Sequence, residues 1–176
     1  MSSFERICKI LREGTKDEKK KMLESLSQTD DPKIIDKIVS RLDDTDIEIR
    51  GEAFSALLLN SNEISDILVK SLGHQSKNIR GYLALVLANR NSHDAIPSII
   101  ALADDQSAMV RSCAVGALGH LKARQAVEVI AKCLADPNIE VRKSAIKSAI
   151  DIGSTELLES VESEDPEIRQ MLESVK

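Results

Sequence analysis

Three cysteines and three histidines are the residues whose side chains could act as nucleophiles, bases or metal ligands in this sequence. Cys8, Cys113 and Cys133 include no C-x-x-C pair, and the register of the chain places no histidine beside them. A thiol needs an adjacent base or a depressed pKa to react, and a zinc site needs several clustered ligands. We therefore interpret the cysteines as small buried hydrophobic residues and expect no catalytic residue, metal or cofactor.

The most regular polar feature is an arginine that recurs about every 31 residues. Arg50, Arg80, Arg111 and Arg142 each follow an aliphatic residue and precede an apolar pattern, at successive intervals of 30, 31 and 31 residues. Weaker copies carry Lys19 upstream and Arg169 downstream. A fixed period of this length indicates stacked structural repeats. The planar guanidinium group of arginine has several N–H donors and can bridge carboxylates and carbonyl groups of adjacent repeats.

The elements that carry these arginines are predicted to be helical hairpins. Apolar residues recur one position before the arginine and three, four and seven after it, as in Ile49, Ala53, Phe54 and Leu57. This is the spacing of an amphipathic helix, and a second apolar helix follows it in each repeat. We expect the many alanines and Gly116 to let neighbouring helices approach closely.

Helix starts are indicated by acid–proline pairs. Asp31–Pro32, Asp136–Pro137 and Asp165–Pro166 each place an N-cap acid before a proline, and Pro97 is expected near the start of its helix. The sequence therefore predicts one all-α domain over residues 1–176, a right-handed α-solenoid (α-α superhelix) of about five hairpins and a terminal helix. Its expected units are an N-terminal cap helix (1–15), the repeats 16–43, 44–73, 74–104, 105–135 and 136–161, and a C-terminal cap helix (162–176).

The repeats resemble the short HEAT-like repeats of the phycobilisome-lyase type. The best-matching segment is DQSAMVRSCAVGALG, from Asp105 to Gly119, followed by Asp136 to Ala149. The resemblance implies a structural ladder of aspartates and arginines along the stack. The corresponding residues here are Asp44, Arg50, Arg80, Asp105, Arg111, Asp136 and Arg142, with His74 in place of the aspartate of one repeat.

Two types of enzyme contain this kind of repeat, and this sequence lacks the residues that each of them needs. Deoxyhypusine hydroxylases hold iron through His-Glu pairs, whereas this sequence has His74-Gln75, His93-Asp94 and His120-Leu121. A chromophore lyase needs large aromatic walls, and only Phe4, Phe54 and Tyr82 are available. An accessory or maturation factor, or an enzyme subunit of the lyase or hydroxylase type that acts on a partner protein, stays as the alternative function.

The favoured function is a non-enzymatic scaffold that binds another protein through its concave face. Second helices line that face in stacked repeats. The candidate contact residues on these helices are Asp36, Ser40, Asp66, Lys70, Glu128 and Lys132. A net charge of −5 does not favour nucleic acid as a partner, and no apolar run is long enough for a membrane span. We expect a cytoplasmic protein.

Overall fold

The computed structural model describes residues 2–175, which form eleven α-helices and no strand. Their bounds are α1 Ser3–Glu13, α2 Lys16–Ser25, α3 Pro32–Ser40, α4 Ile47–Leu58, α5 Ser65–Lys70, α6 Lys77–Asn89, α7 Ile96–Leu102, α8 Ala108–His120, α9 Val127–Cys133, α10 Ile139–Ile152 and α11 Pro166–Glu173. The first helices of the repeats are α2, α4, α6, α8 and α10, and the second helices are α3, α5, α7 and α9.

The second helices are short because part of each is wound as a 3₁₀ turn. Arg41–Asp43 and Ser71–Gly73 continue α3 and α5, whereas His93–Ala95 and Arg124–Ala126 precede α7 and α9. The last second helix is reduced to the 3₁₀ segment Thr155–Leu158.

The N-terminal unit, Met1–Val86, contains two layers of helices. The first helices α2 and α4 pack side by side, while the second helices α3 and α5 pack in the other layer. Helix α1 contacts both α2 and α3. The core between the layers is aliphatic, with Leu23, Ile35, Ile49, Leu57 and Leu68 almost wholly removed from solvent. Burial of such side chains is the main force holding the layers together.

The C-terminal unit, Leu87–Lys176, repeats the arrangement. The first helices α8 and α10 pack along each other, α7 and α9 pack against them, and α11 covers α10. At the expected core positions, Val110, Ala114, Val115 and Leu118 are all buried, as are their counterparts on α10.

Capping chemistry explains where several helices begin. Asp31 accepts a hydrogen bond from the Lys33 amide and Asp165 from the Glu167 amide, each with a proline in the first turn of the helix. The expected cap at Asp136 is wrong: Asn138 caps α10, through the Glu140 and Val141 amides. Asp136 lies two residues earlier and accepts a hydrogen bond from the Asn138 amide.

Close helix approach in the C-terminal unit depends on Gly119 rather than on Gly116. A Cβ atom on Gly119 would lie 2.8 Å from both Cα and Cβ of Ser148 on α10, and nearer still to its Oγ. The same atom on Gly116 would meet nothing within 4 Å. The expectation for Gly116 is therefore wrong, because its face of α8 does not point toward a neighbouring helix.

Phe54 is less buried than the residues that share its register position. Val115 and Ile146 at this position are buried, but Phe54 is only half-buried. It lies at the surface between α4 and α6.

Candidate functional site

The recurring arginines share one local geometry, in which each fastens the loop that leads into its own helix. Nη1 of Arg50 donates to the carbonyl oxygens of Asp44 at 2.8 Å and Thr45 at 3.2 Å, six and five residues earlier. Nη1 of Arg80, Arg111 and Arg142 binds the carbonyls at the same two offsets, at distances of 2.8 to 3.4 Å. The regular arginine is thus explained first by loop anchoring, because its guanidinium group donates to carbonyl groups that the turn of the loop leaves without a backbone partner.

The residue six positions before each arginine turns the same loop. Oδ1 of Asp136 accepts from the Asn138 amide at 2.8 Å, and Asp44 and Asp105 accept from the amide two residues on in the same way. His74 does this with Nδ1, which accepts from the Ser76 amide at 3.0 Å. The histidine therefore preserves the turn but supplies no carboxylate.

Arg111 and Asp136 form a two-point ion pair between consecutive repeats, which we call a rung; a rung is open where the arginine has no such carboxylate. Nε and Nη2 of Arg111 lie 2.8 and 2.9 Å from the two carboxylate oxygens of Asp136. The side chains are only 16% and 8% exposed, so solvent screens the pair weakly. The hydrogen bonds from Arg111 lower the pKa of Asp136, and Asp136 raises the pKa of Arg111.

The corresponding carboxylate is missing beside Arg50 and Arg142. His74 and Ser163 hold the register position of Asp136 in the repeats that follow Arg50 and Arg142, six residues before Arg80 and Arg169. Among residues 2–175, neither guanidinium group is within ion-pair distance of a carboxylate. Asp44 is paired instead with Arg41, at 3.3 Å. The sequence register predicts these arginines, and the same spacing contains the change to serine at position 163.

The proposed contact residues lie on second helices of both units. Asp36, Ser40, Asp66 and Lys70 belong to α3 and α5, and Glu128 and Lys132 belong to α9. All are exposed except Ser40, which is half-buried and donates to the Lys37 carbonyl at 2.7 Å. Lys132 forms an ion pair with Asp104, and this hydrogen bond raises the pKa of Lys132.

A cavity of about 650 Å³ opens beside α9 in the C-terminal unit. Its apolar lining includes Ala131 of α9 and Leu134 directly after that helix, together with Leu157 and Val161 beyond α10. Arg142 also lines it. The cavity thus places aliphatic side chains beside one of the two arginines that, among residues 2–175, contact no carboxylate.

A second concave surface lies between α4 and α6 in the N-terminal unit. It encloses about 390 Å³ and is lined mainly by apolar side chains, including Ile47, Phe54, Tyr82 and Leu85. Ile47 is 72% exposed, which is unusual for isoleucine. The sequence places Phe54 and Tyr82 on first helices, where either core or outer-surface packing is expected, and it contains no signal for this groove.

The cysteines are poor nucleophiles in this fold. Burial raises the pKa of both Cys113 and Cys133, which favours the protonated thiol. Cys133 is buried as expected, but Cys8 and Cys113 are only half-buried, so that expectation is wrong for two of the three. Within the described part of the chain, no group of three or more His, Cys, Asp or Glu residues is placed to hold a metal ion.

Comparison with known proteins identifies the repeats. Residues 65–150 match the family profile described as HEAT repeats. No protein of curated function matches the chain. None of the helices within residues 2–175 combines the length and apolar character needed to cross a membrane.

Solved structures share the fold at low sequence identity. The complex of CpcE and CpcF of phycocyanin lyase from Nostoc sp. PCC7120 is 18% identical, with a TM-score of 0.60, 98% of this chain covered and 75% of that chain. A designed armadillo repeat protein in complex with the peptide (KR)4 is 19% identical, with a TM-score of 0.57 and 98% of both chains covered. Human deoxyhypusine hydroxylase is 22% identical, with a TM-score of 0.55, and the match covers 77% of this chain but 49% of the hydroxylase. These similarities confirm the all-α solenoid fold.

Proposed function

We propose that this protein is a non-catalytic scaffold that binds a partner protein along the exposed side of its second helices. The observation that carries the proposal is a set of exposed acids on the second helices. Asp36, Asp66 and Glu128 are exposed and form no ion pair with any described residue.

Exposed acids without an internal partner suit a basic segment of another protein. Such charges steer association and select partners more than they add affinity. The designed armadillo protein in complex with (KR)4 has the same fold and nearly the same length, which supports a basic extended segment as the partner. Exposed helix faces can hold such a segment without any catalytic group.

A labelled peptide of alternating lysine and arginine provides the first test. Wild-type protein should bind it, and Asp36→Lys combined with Asp66→Lys should weaken binding roughly tenfold, because each exposed pair contributes about 0.2–1 kcal/mol and reversal adds repulsion. Glu128→Lys tests whether the second helix of the C-terminal unit also contributes to peptide binding. Fluorescence anisotropy at two salt concentrations measures the effect, which should diminish as salt rises.

The matched control reverses two acids on first helices of the same unit. Glu24 on α2 and Glu52 on α4 form no ion pair with described residues, so changing both to lysine alters the net charge equally. This variant should keep most of the affinity. If it loses as much as the Asp36 and Asp66 variant, net charge rather than the second-helix face governs binding.

Lys147 is the better basic control on α10. It is exposed, whereas Lys143 is half-buried and bound to Glu167 of α11, so reversing Lys143 would disturb helix packing. Lys147→Glu should leave binding unchanged. Capture of the natural partner from the source cell, followed by mass spectrometry, would then identify it.

A further inference from the structure

We propose that Arg142 and the cavity beside α9 bind a carboxylate side chain of the partner, which completes the rung that the chain itself leaves open. This inference rests on the proposed scaffold function and names one group that the partner must supply. It follows from comparing Arg142 with Arg111, the arginine one repeat earlier.

Arg111 shows what an arginine at this position can hold. Its Nη1 anchors the loop carbonyls of Asp105 and Gln106, while Nε and Nη2 together bind both oxygens of Asp136. Arg142 is anchored in the same way, with Nη1 on the carbonyls of Asp136 and Pro137. Among residues 2–175, its Nε and Nη2 donate to no acceptor. Nε and Nη2 therefore bind a carboxylate in the repeat of Arg111, whereas in the repeat of Arg142 both are available to an acceptor from outside the described residues.

Ser163 is the reason that the rung is open. It lies six residues before Arg169, as Asp136 lies six before Arg142, and its Oγ accepts from the Asp165 amide at 3.1 Å, as Asp136 does from Asn138. Serine thus preserves the loop turn. A neutral hydroxyl has one oxygen and no charge, so it cannot form the two-point ion pair that a carboxylate makes with a guanidinium group.

The surroundings of Arg142 favour a carboxylate carried by an aliphatic segment. Leu134, Leu157 and Val161 line the cavity and offer apolar contact to the neighbours of an incoming acid. Glu156 and Glu162 also line it, but both are exposed and neither pairs with Arg142. Their charges oppose an anion in the cavity, and salt screens this repulsion because both side chains are exposed. The carboxylate of Asp136 is the group already accepted by the equivalent site, so we assign a carboxylate rather than a phosphate.

The test uses three labelled pentapeptides that differ at the central residue: Leu-Ala-Asp-Ala-Leu, the same peptide with asparagine, and the same peptide with phosphoserine. Wild-type protein should bind the aspartate peptide about tenfold more tightly than the asparagine peptide, since a charge-assisted bidentate pair is worth at least 1.4 kcal/mol. Glu156→Gln with Glu162→Gln should strengthen binding of the aspartate peptide a few-fold.

Ser163→Asp is the decisive variant, because it supplies the missing carboxylate from within the chain. It should raise the melting temperature by a few degrees and abolish the preference for aspartate over asparagine. Arg142→Gln should also abolish the preference. If loss of the arginine unfolds the protein, Ser163→Asp still tests the proposal, because it keeps Arg142. Ser163→Ala should leave the preference intact.

Three results would overturn the assignment. These are equal binding of the aspartate and asparagine peptides, tighter binding of the phosphoserine peptide, or a preference that survives in the Ser163→Asp protein. Failure to bind any of the three peptides at about 1 mM, where the binding free energy is only about −4 kcal/mol, would also count against it. The scaffold proposal is tested separately, because Asp36 and Asp66 lie in the N-terminal unit and their reversal does not alter Arg142.

Discussion

Replacing Gly119 by alanine should destabilise the protein, whereas the same change at Gly116, three residues earlier on α8, should stabilise it. The two glycines lie on one helix, so intrinsic helix propensity favours alanine at both, by up to about 1 kcal/mol. What differs is the space around each Cβ position. At Gly119 the new methyl group would lie 2.8 Å from Cα of Ser148, which is backbone and cannot rotate away.

The expected magnitude follows from two effects. Overpacking of a close interface costs about 1–3 kcal/mol, because α8 and α10 must separate. Ser148 Oγ also donates to the Val115 carbonyl at 2.8 Å in a buried position, and losing that hydrogen bond costs about 1 kcal/mol more. After the gain in propensity, Gly119→Ala should lower the free energy of unfolding by about 1–3 kcal/mol. Gly116→Ala should raise it by up to about 1 kcal/mol.

Urea unfolding followed by circular dichroism at 222 nm measures both changes, with thermal melts as a second readout. A domain of this size shifts by about 2–4 °C per kcal/mol, so a difference of about 1–4 kcal/mol should make Gly119→Ala melt about 2–16 °C below Gly116→Ala. Adding Ser148→Ala to Gly119→Ala should be less damaging than the sum of the single changes, since both relieve one contact. Equal stability of the two alanine variants would refute the close approach of α8 and α10 at Gly119.

Two further predictions concern the loops between repeats. Asp136→Asn should lower the free energy of unfolding at pH 7 by about 2–3 kcal/mol, the contribution of a charge-assisted pair. Because Arg111 lowers the folded-state pKa of Asp136, this stabilisation is complete above the unfolded value of about 4 and is lost as pH falls through the folded pKa. Urea titrations from pH 7 to pH 2 should therefore show wild type converging on the variant, and a constant difference would contradict the rung. His74→Ala should lose the cap on the Ser76 amide, at about 1 kcal/mol, whereas His74→Asp should keep it, place a carboxylate at the open rung of Arg50 and melt above wild type.

The sequence alone determined the helices and the loop chemistry of this protein. Apolar spacing identified the first and second helices, and Asp31 and Asp165 marked two helix starts correctly, since caps depend on neighbouring residues. The recurring arginines were found for the same reason. Their Nη1 contacts reach back only five and six residues, so a short stretch of chain contains the whole interaction.

Tertiary structure decided which of these residues meet across repeats. Gly116 and Gly119 are the same residue type on one helix, and only the placement of α10 makes one of them a point of close approach. Phe54 shares its register position with the buried Val115 and Ile146, yet it is half-buried at the surface beside α6. Arg111 and Arg142 anchor their loops in the same way, but among residues 2–175 Arg111 meets Asp136 whereas Arg142 meets no carboxylate. The sequence contains the change from Asp136 to Ser163, but whether a side chain reaches the neighbouring arginine depends on the offset between stacked helices, which the packing of whole surfaces sets.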